Sequence, residues 1–327
     1  MSTFPARRPR RLRTTPQMRN LVAETEVRPS DLILPMFIVD GLDAPREIPS
    51  MPGVYQHTFD SLRRAAEEAL EAGVPCIDLF GVPLDEDKDE TGSVAWDPQG
   101  ILNRGISCLH EEFGDDLIVM ADTCLDEFTS HGHCGVLDDK GRVLNDASVK
   151  LYQDMARSQA RAGAQIVSPS GMMDGQVGAI RADLDEAGHE DVAIMAYSAK
   201  YASAFFGPFR DAVGSSLEGD RRTYQQDPRN FRESLLEAEL DIEEGADFVM
   251  VKPGLPYLDV LSAVAETSPV PVAVYQVSGE YAMVKAAAAN GWIDGEAIML
   301  ESLTAFKRAG AGQILTYFAT EAARLLK

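Results

Sequence analysis

Two lysines, each at the end of an apolar run, are the residues of this sequence best placed for covalent chemistry. Lys200 ends the run Ala-Tyr-Ser-Ala-Lys, and Lys252 ends Val-Met-Val-Lys before Pro253. A solvated lysine has a pKa of about 10.4 and is a poor nucleophile because its lone pair is protonated. Burial and a second nearby ammonium both favour the neutral amine, which can attack a ketone and form a Schiff base. Either lysine alone is more simply explained as an ordinary strand-end lysine, so the chemistry depends on whether the two lie together.

A second cluster of reactive groups follows Asp122. Within thirteen residues the sequence contains Cys124, Asp126, His131, His133 and Cys134. Zinc accepts sulfur and oxygen ligands, so Cys124, Asp126 and Cys134 are predicted to bind a metal rather than to be two idle thiols. The two histidines either orient this loop or contact a substrate.

The elements that must position these groups can be read from a repeated junction. A Gly that ends a helix is followed at once by apolar residues near positions 73, 163, 245 and 310, a pattern typical of helix-then-buried-strand units in a parallel sheet. Eight strands are predicted, at 32–38, 75–80, 117–122, 164–168, 192–197, 247–251, 271–276 and 313–318. Amphipathic helices are predicted between these strands, including 61–72, 146–162, 228–244, 255–267, 297–309 and 319–326.

Eight strands alternating with helices predict an α/β fold of the (β/α)8 TIM barrel class. A doubly wound open sheet is the alternative, but no Gly-x-Gly-x-x-Gly follows the first strand. In the barrel, Lys200 ends the fifth strand and Lys252 the sixth. Adjacent strands lie about 4.8 Å apart, so the two amines are expected to share one pocket and to lower each other's pKa.

The segment after Lys200, residues 201–230, is predicted to be a lid over this pocket. It carries aromatic, guanidinium and amide side chains: Phe206, Phe209, Arg210, Arg221 and Gln225. Arginine binds carboxylates through two parallel hydrogen bonds. Ser278 after the seventh strand and Tyr317 within the eighth are expected to point at the barrel mouth.

Composition limits the remaining possibilities. The chain has 327 residues, 45% of them hydrophobic, and a net charge of −22, which argues against nucleic-acid binding by the main body. No apolar run reaches the roughly 20 residues that a membrane helix needs, and no signal sequence opens the chain, so a cytoplasmic location is expected.

Residues 1–30, with five arginines between positions 7 and 13, are predicted to be an arm that contacts a neighbouring subunit. A disordered tail and a transit peptide are the alternatives. Residues 31–327 are predicted to form the catalytic barrel.

Several motifs, in order along essentially the whole chain, resemble those of the porphobilinogen synthase (5-aminolevulinate dehydratase) family. They are Asp-Thr-Cys with Thr-Ser-His-Gly-His-Cys-Gly, Tyr-Ser-Ala-Lys-Tyr-Ala-Ser with Gly-Pro-Phe-Arg-Asp, Gly-Asp-Arg-Arg-x-Tyr-Gln, Met-Val-Lys-Pro-Gly and Tyr-Gln-Val-Ser-Gly-Glu-Tyr-Ala-Met. The resemblance implies a hydro-lyase of tetrapyrrole (heme) synthesis that condenses two 5-aminolevulinate molecules to porphobilinogen with loss of two waters.

The resemblance also implies roles for individual residues. Lys252 would form a Schiff base with the substrate that supplies the propionate side, and Lys200 would bind the second, acetate-side substrate, also as a Schiff base. Ser278 and Tyr317 would hold the first carboxylate; Arg210, Arg221 and Gln225 would hold the second; Asp122 and Ser170 would lie near the first substrate's amino group. Family members assemble as homo-octamers through the N-terminal arm, and Glu233 matches a glutamate that binds an allosteric magnesium ion.

The metal loop departs from the family's zinc-binding pattern of three cysteines, because Asp126 replaces the middle thiol. Two remaining thiolates favour zinc over magnesium, which prefers oxygen ligands. We therefore expect a catalytic zinc ion that is bound more weakly than by three thiolates. The alternatives to the synthase are another Schiff-base barrel enzyme of the aldolase type and a non-catalytic barrel scaffold.

Overall fold

The computed structural model describes residues 3–217 and 219–327. Residues 1 and 2 of the expected arm and residue 218 of the expected lid lie outside the described residues. The strands are β1 (Leu32–Val39), β2 (Arg46–Glu47), β3 (Tyr55–His57), β4 (Cys76–Val82), β5 (Ile118–Thr123), β6 (Ile166–Pro169), β7 (Ala193–Lys200), β8 (Phe248–Lys252), β9 (Val272–Gln276) and β10 (Gln313–Thr316). The helices are α1 (Pro16–Leu21), α2 (Phe59–Ala72), α3 (Ile101–Phe113), α4 (Asn145–Ala162), α5 (Gln176–Glu186), α6 (Gly207–Val213), α7 (Arg232–Glu243), α8 (Leu258–Thr267), α9 (Ser278–Ala289), α10 (Gly295–Arg308) and α11 (Ala319–Leu325).

The described strands close a parallel barrel. β1, β4, β5, β6, β7, β8, β9 and β10 follow one another in the sheet, and β10 pairs back to β1 with Leu32 opposite Ile314. This closure confirms the (β/α)8 prediction and makes the open-sheet alternative wrong. All eight predicted strands are present, although β10 ends at Thr316, so Tyr317 lies just beyond the strand rather than within it.

Every glycine of the repeated junction adopts a left-handed conformation. Gly73, Gly163, Gly245 and Gly310 have φ values of 97°, 108°, 104° and 108°. A side chain at such a position would be strained, so glycine allows the chain to leave the helix and turn directly into a buried strand. The junction pattern in the sequence therefore marked four real helix ends.

Two details differ from the sequence-based expectation. A short antiparallel hairpin, β2–β3, attaches to the end of β1 through Phe37 and Ile38. Helix α7 begins at Arg232 rather than at 228, because Asn230 donates its backbone N–H to the carbonyl of Asp227 and closes a turn there.

The N-terminal segment contributes only a peripheral contact to the barrel core, through the partly buried Val27. None of residues 3–30 is buried, and Phe4, Leu12 and Leu21 are 72%, 52% and 79% exposed. Among the described helices, none has both the length and the hydropathy needed to cross a bilayer.

Candidate active site

The two lysines lie side by side at the carboxyl end of the barrel. Lys200 ends β7, Lys252 ends β8, and the two are direct partners in the ladder between these strands. Both are buried, with 4% and 6% of their surface exposed. The amines approach the ring of Tyr197, with Nζ at 5.3 Å from the ring centroid for Lys200 and at 4.9 Å for Lys252. The barrel thus brings the two amines together, as the strand assignment predicted.

Lys252 is enclosed by aromatic rings. Its Nζ lies 4.2 Å from the centroid of Tyr275, 5.4 Å from that of Phe206 and 5.5 Å from that of Phe209. Burial, and next the positive charge of Lys200, lower the pKa of Lys252 to about 8. A larger fraction of this amine is therefore neutral and nucleophilic at neutral pH than in an ordinary lysine.

Lys200 has a different environment, and the expectation that its pKa is lowered is wrong. Burial lowers the pKa of Lys200, but Cys134, Cys124, Asp126 and Asp122 oppose it, and the net direction is upward. Its Nζ also donates a hydrogen bond to the Ser170 carbonyl at 2.6 Å. The pair therefore consists of one amine with a lowered pKa and one with a raised pKa.

Asp122 interacts electrostatically with both lysines and with Asp126 of the metal-ligand cluster. Burial raises its pKa to about 6, although both lysines and a hydrogen bond from Ser170 oppose that rise. A carboxyl with a pKa near neutrality can take up and release a proton during a reaction.

The three predicted metal ligands converge. The ligand atoms of Cys124, Asp126 and Cys134 all lie within 4.8 Å of one another, and all three residues are buried. Burial raises the pKa of the Cys124 thiol, so metal binding there must displace a proton. Two sulfurs and one carboxylate within this distance fit a metal ion with one coordination position left for water or substrate.

The loop that carries these ligands is held by hydrogen bonds to side-chain hydroxyls and to one backbone carbonyl. The Tyr152 hydroxyl donates to the Cys134 carbonyl at 2.6 Å and lies 3.6 Å from Cys124 Sγ. His133 Nδ1 lies 3.1 Å from the Tyr224 hydroxyl, and His131 Nε2 lies 3.1 Å from the Glu90 carbonyl. Both histidines thus orient the loop, which was one of the two alternatives that the sequence left open.

The lid segment, defined as residues 201–230, packs over the lysines and encloses a cavity of about 230 Å³. Its short helix α6 is fixed from below, because Ser278 Oγ accepts the Phe209 backbone N–H at 3.0 Å. The predicted residues from the barrel that line the cavity are Asp122, Asp126, Ser170, Lys200, Lys252, Ser278 and Tyr317. Those from the lid segment are Phe206, Phe209, Arg210, Arg221 and Gln225.

Several lining groups are suited to binding a carboxylate. Gln225 Nε2 and Arg221 Nε are buried donors with no hydrogen-bond partner in the described part of the chain, whereas Arg210 is exposed at the mouth. Arg221 is nevertheless partly engaged, because its Nη2 donates to Asp126 Oδ2 at 2.6 Å. On the opposite side, the hydroxyls of Tyr317 and Tyr275 lie 3.1 Å apart.

Some features were absent from the sequence-based list. Tyr197 and Tyr275 form the aromatic surface beneath the amines, and Tyr152 anchors the metal loop, but aromatic residues in strands and helices give no signal that separates them from ordinary core. Glu233 does not line this cavity. It lies in a separate surface depression with Arg142, Asp174 and Glu237, and its Oε2 accepts a hydrogen bond from Asn230.

Comparison with known proteins identifies the family. The family model described as "Delta-aminolevulinic acid dehydratase" matches residues 6–325. A delta-aminolevulinic acid dehydratase from Mycobacterium tuberculosis is 64% identical over 323 residues, covering 99% of this chain and 98% of the relative. The corresponding protein from Streptomyces coelicolor is 63% identical over 325 residues, with 99% and 98% coverage.

A solved structure agrees with this assignment. The delta-aminolevulinic acid dehydratase (porphobilinogen synthase) of Toxoplasma gondii, in complex with the reaction product porphobilinogen, superposes with a TM-score of 0.96. It is 48% identical and covers 98% of this chain and 91% of its own. The family resemblance seen in the motifs is confirmed over almost every residue: this chain belongs to the delta-aminolevulinic acid dehydratase family.

Proposed function

We propose that Lys252 and Lys200 carry out the reaction of this family, in which two molecules of 5-aminolevulinate condense to porphobilinogen with loss of two waters. The observation that supports these roles best is the pair itself. Two buried amines are direct ladder partners over one tyrosine ring, and only Lys252 has a lowered pKa. That asymmetry suits a reaction in which two identical substrates must be treated differently.

In this proposal the neutral amine of Lys252 attacks the keto carbon of the first substrate. A carbon–nitrogen bond forms, the carbonyl oxygen leaves as water, and the resulting Schiff base makes the neighbouring carbon acidic. Lys200, whose pKa is raised in the free enzyme, binds the second substrate as a Schiff base. Asp122 and Ser170 lie near the amino group of the first substrate, where Asp122 can exchange a proton.

Two different sets of side chains would hold the two carboxylates. Ser278 and Tyr317 are assigned to the first substrate. Arg210, Arg221 and Gln225 are assigned to the second, and the buried, unpartnered Nε2 of Gln225 supports that role. Phe206 and Phe209 close the lid segment over the amines and exclude water from the cavity.

Cys124, Asp126 and Cys134 would hold a catalytic zinc ion. Their mutual distances and burial support a metal site, and two thiolates select zinc over magnesium. When bound, zinc would act as a Lewis acid toward the second substrate. Asp126 would share its carboxylate between the metal and Arg221, which is consistent with weaker metal binding than by three thiolates.

The assembly, the second metal site and the location come from the family resemblance and the composition, and they stay predictions. Residues 1–30 would embrace a neighbouring subunit in a homo-octamer, and the exposure of Phe4, Leu12 and Leu21 supports a role in contacts. Glu233 would bind an allosteric magnesium ion. The protein would act in the cytoplasm.

Borohydride reduction in the presence of 5-aminolevulinate, followed by peptide mass mapping, tests the proposal. We expect substrate-dependent label on Lys252, and none in Lys252→Met; Lys285→Met, a substitution on the outer helix α9, is the matched control. Label with zinc-dependent porphobilinogen formation supports the synthase. Label without a requirement for Lys200 or the metal loop would support an aldolase-type enzyme, and no label on any lysine would support a scaffold.

Activity measured with zinc, magnesium or chelator identifies the metal, and restoration of activity by magnesium but not zinc would contradict the zinc assignment.

A further inference from the structure

A carboxyl group that has no place in the mechanism above lies beneath the floor of the cavity. Asp78 is on β4, two residues before Phe80, which lines the cavity. Side chains two apart on a strand point to the same face, so Asp78 projects into the barrel one layer below Phe80. It has no exposed surface. An ionised carboxylate in such a place is costly unless a positive charge compensates it.

The hydrogen bonding of Asp78 is incomplete. Its Oδ2 accepts a hydrogen bond from the Tyr197 hydroxyl at 3.4 Å. Its Oδ1 is buried and finds no hydrogen-bond partner in residues 3–217 and 219–327. Tyr197 is the same tyrosine whose ring lies beneath both lysine amines, so Asp78 is connected to the amine pair through one side chain.

The titratable and charged groups that act on Asp78 come from several strands of the barrel. They are Cys76 on its own strand, Asp122 on β5, Tyr197 on β7, Lys252 on β8, Tyr275 on β9 and Tyr317 after β10. Of these, Lys252 is the cation. The influence is mutual, since Asp78 in turn favours the charged form of Lys252.

We infer that Asp78 is a positioning residue for Lys252, whose buried carboxyl balances the positive charge that this nitrogen gains when the Schiff base forms. The inference rests on the proposed function, in which Lys252 is the nucleophile. In the free enzyme the two groups share one proton, either as a carboxylic acid with an amine or as a carboxylate with an ammonium. After reaction with the ketone they are a carboxylate and a protonated imine.

The step balances without a net change of charge in the cavity. The carbon–nitrogen bond forms, the carbon–oxygen double bond breaks, and the oxygen leaves as water with two protons from the amine. The imine nitrogen then takes the proton that the pair shared and becomes positively charged, and Asp78 is left as a carboxylate. Burial, and next the charge of Asp122, raise the pKa of Asp78 well above its ordinary value, so this carboxyl holds a proton to higher pH than an exposed one does.

Asp122 does not substitute for Asp78 in this role. Asp122 lines the cavity, accepts a hydrogen bond from Ser170 and acts on both lysines. Asp78 is separated from the substrate by the cavity floor, so a change there alters the charge balance of Lys252 without removing a substrate contact.

The test is pulse acetylation with acetic anhydride between pH 6 and 10.5, with the label on Lys252 quantified by peptide mass mapping and Lys285 as the internal standard. We expect a wild-type midpoint near pH 8. Asp78→Asn and Asp78→Leu should both lower this midpoint by about one pH unit, because the compensating charge is lost. Asp78→Glu should restore most of the shift. Cys76→Ser, on the same face of β4 and one layer deeper, should leave the midpoint unchanged.

The outcomes separate this inference from the proposed function. Asn and Leu differ in shape and polarity, so an equal shift in both variants identifies the charge as the cause, and the Leu variant keeps the test available if the Asn variant folds poorly. An unchanged midpoint in both, or an equal shift in Cys76→Ser, would overturn the role of Asp78. Acetylation needs no 5-aminolevulinate, so failure of substrate-dependent borohydride labelling in the wild type would overturn the proposed function on its own.

Discussion

Arg221 and Asp126 form a buried ion pair that ties the lid segment to the metal-ligand loop. Arg221 Nη2 lies 2.6 Å from Asp126 Oδ2, and the same nitrogen donates to the Gly132 carbonyl at 2.9 Å. Burial alone would raise the pKa of Asp126, but the charges of Arg221 and Lys200 hold it well below its usual range. Asp126, one of the three predicted metal ligands, is therefore also the anchor of the lid segment.

Removing Asp126 should destabilise the metal-free protein strongly. Asp126→Ala leaves the Arg221 guanidinium buried without its partner, and breaking such a pair costs about 3–5 kcal/mol. The folded-state pKa is depressed, so this stabilisation is present above the unfolded pKa of about 3.9 and is lost as the pH falls toward the folded value. Urea unfolding at pH 7 and at a pH well below about 3.9 measures both effects. Glu68→Ala, which removes the exposed partner of Arg324, should cost less than about 1 kcal/mol; an equal cost for the two variants would contradict the prediction.

Replacing Lys252 by Met should stabilise the fold while abolishing substrate-dependent labelling. The pKa of Lys252 falls from 10.5 to about 8 in the folded protein, which corresponds to a cost on the order of 3 kcal/mol below pH 8. Between pH 8 and 10.4 the unfolded chain binds the extra proton, so wild-type stability rises with pH relative to the variant. The advantage of Lys252→Met in urea unfolding should therefore be large at pH 7 and small at pH 9.5. A constant difference across this range would show that the folded amine has an ordinary pKa.

Zinc content should depend on two of the four cysteines. Cys124→Ser and Cys134→Ser each remove a predicted ligand from the cluster. Both variants are expected to lose zinc under dialysis conditions in which the wild type retains it. Cys76→Ser and Cys108→Ser alter buried free thiols outside the cluster and should retain it. Elemental analysis after dialysis measures the metal directly. Equal zinc in all four variants would place the metal elsewhere.

Gln225 should contribute to substrate affinity. A hydrogen bond to a charged group contributes roughly 1.5–3 kcal/mol, so Gln225→Ala is expected to lower kcat/KM by about 10- to 150-fold, mainly through KM. Arg229→Gln is the matched control, because Arg229 lies in the same segment but pairs with Asp227 at the surface. Steady-state kinetics with 5-aminolevulinate decides the question. Similar KM values for Gln225→Ala and wild type would remove Gln225 from the binding site.

Deleting residues 1–25 should reduce the assembly without unfolding the barrel. None of the described residues in this stretch is buried within its own chain, so the loss should fall on contacts between subunits. Analytical ultracentrifugation should show a smaller species, and circular dichroism should show retained helix and strand. Replacing the five arginines at 7, 8, 10, 11 and 13 with Gln should have a weaker effect that depends on salt. If the truncated protein kept the same number of subunits per assembly, the arm hypothesis would be wrong.

The barrel and the lysine pair were predictable because they depend on local patterns. Apolar runs fixed the strands, the four junction glycines fixed the helix ends, and alternation of strand and helix leaves few topologies. Once Lys200 and Lys252 ended consecutive strands, their proximity followed from the spacing of a parallel sheet.

The electrostatics were not predictable in the same way. The opposite pKa shifts of Lys200 and Lys252 depend on which anions each amine meets across the barrel, and sequence spacing carries no such information. The pairing of Arg221 with Asp126 joins residues 95 positions apart through the fold of the lid segment. The role of Asp78 could not be predicted for another reason. One acidic residue within an apolar run gives no indication of the face of the sheet toward which its side chain points.

The closure of the sheet has a consequence for how the protein folds and unfolds. Leu32 pairs with Ile314, about 280 positions later, so the β1–β10 seam joins the most distant parts of the sheet. Loop-closure entropy delays such contacts during folding. The seam is held by only two residue pairs, whereas β1 meets β4 through seven. We therefore expect the barrel to open first between β1 and β10, so that the amide hydrogens of β10 exchange with solvent before those of β4.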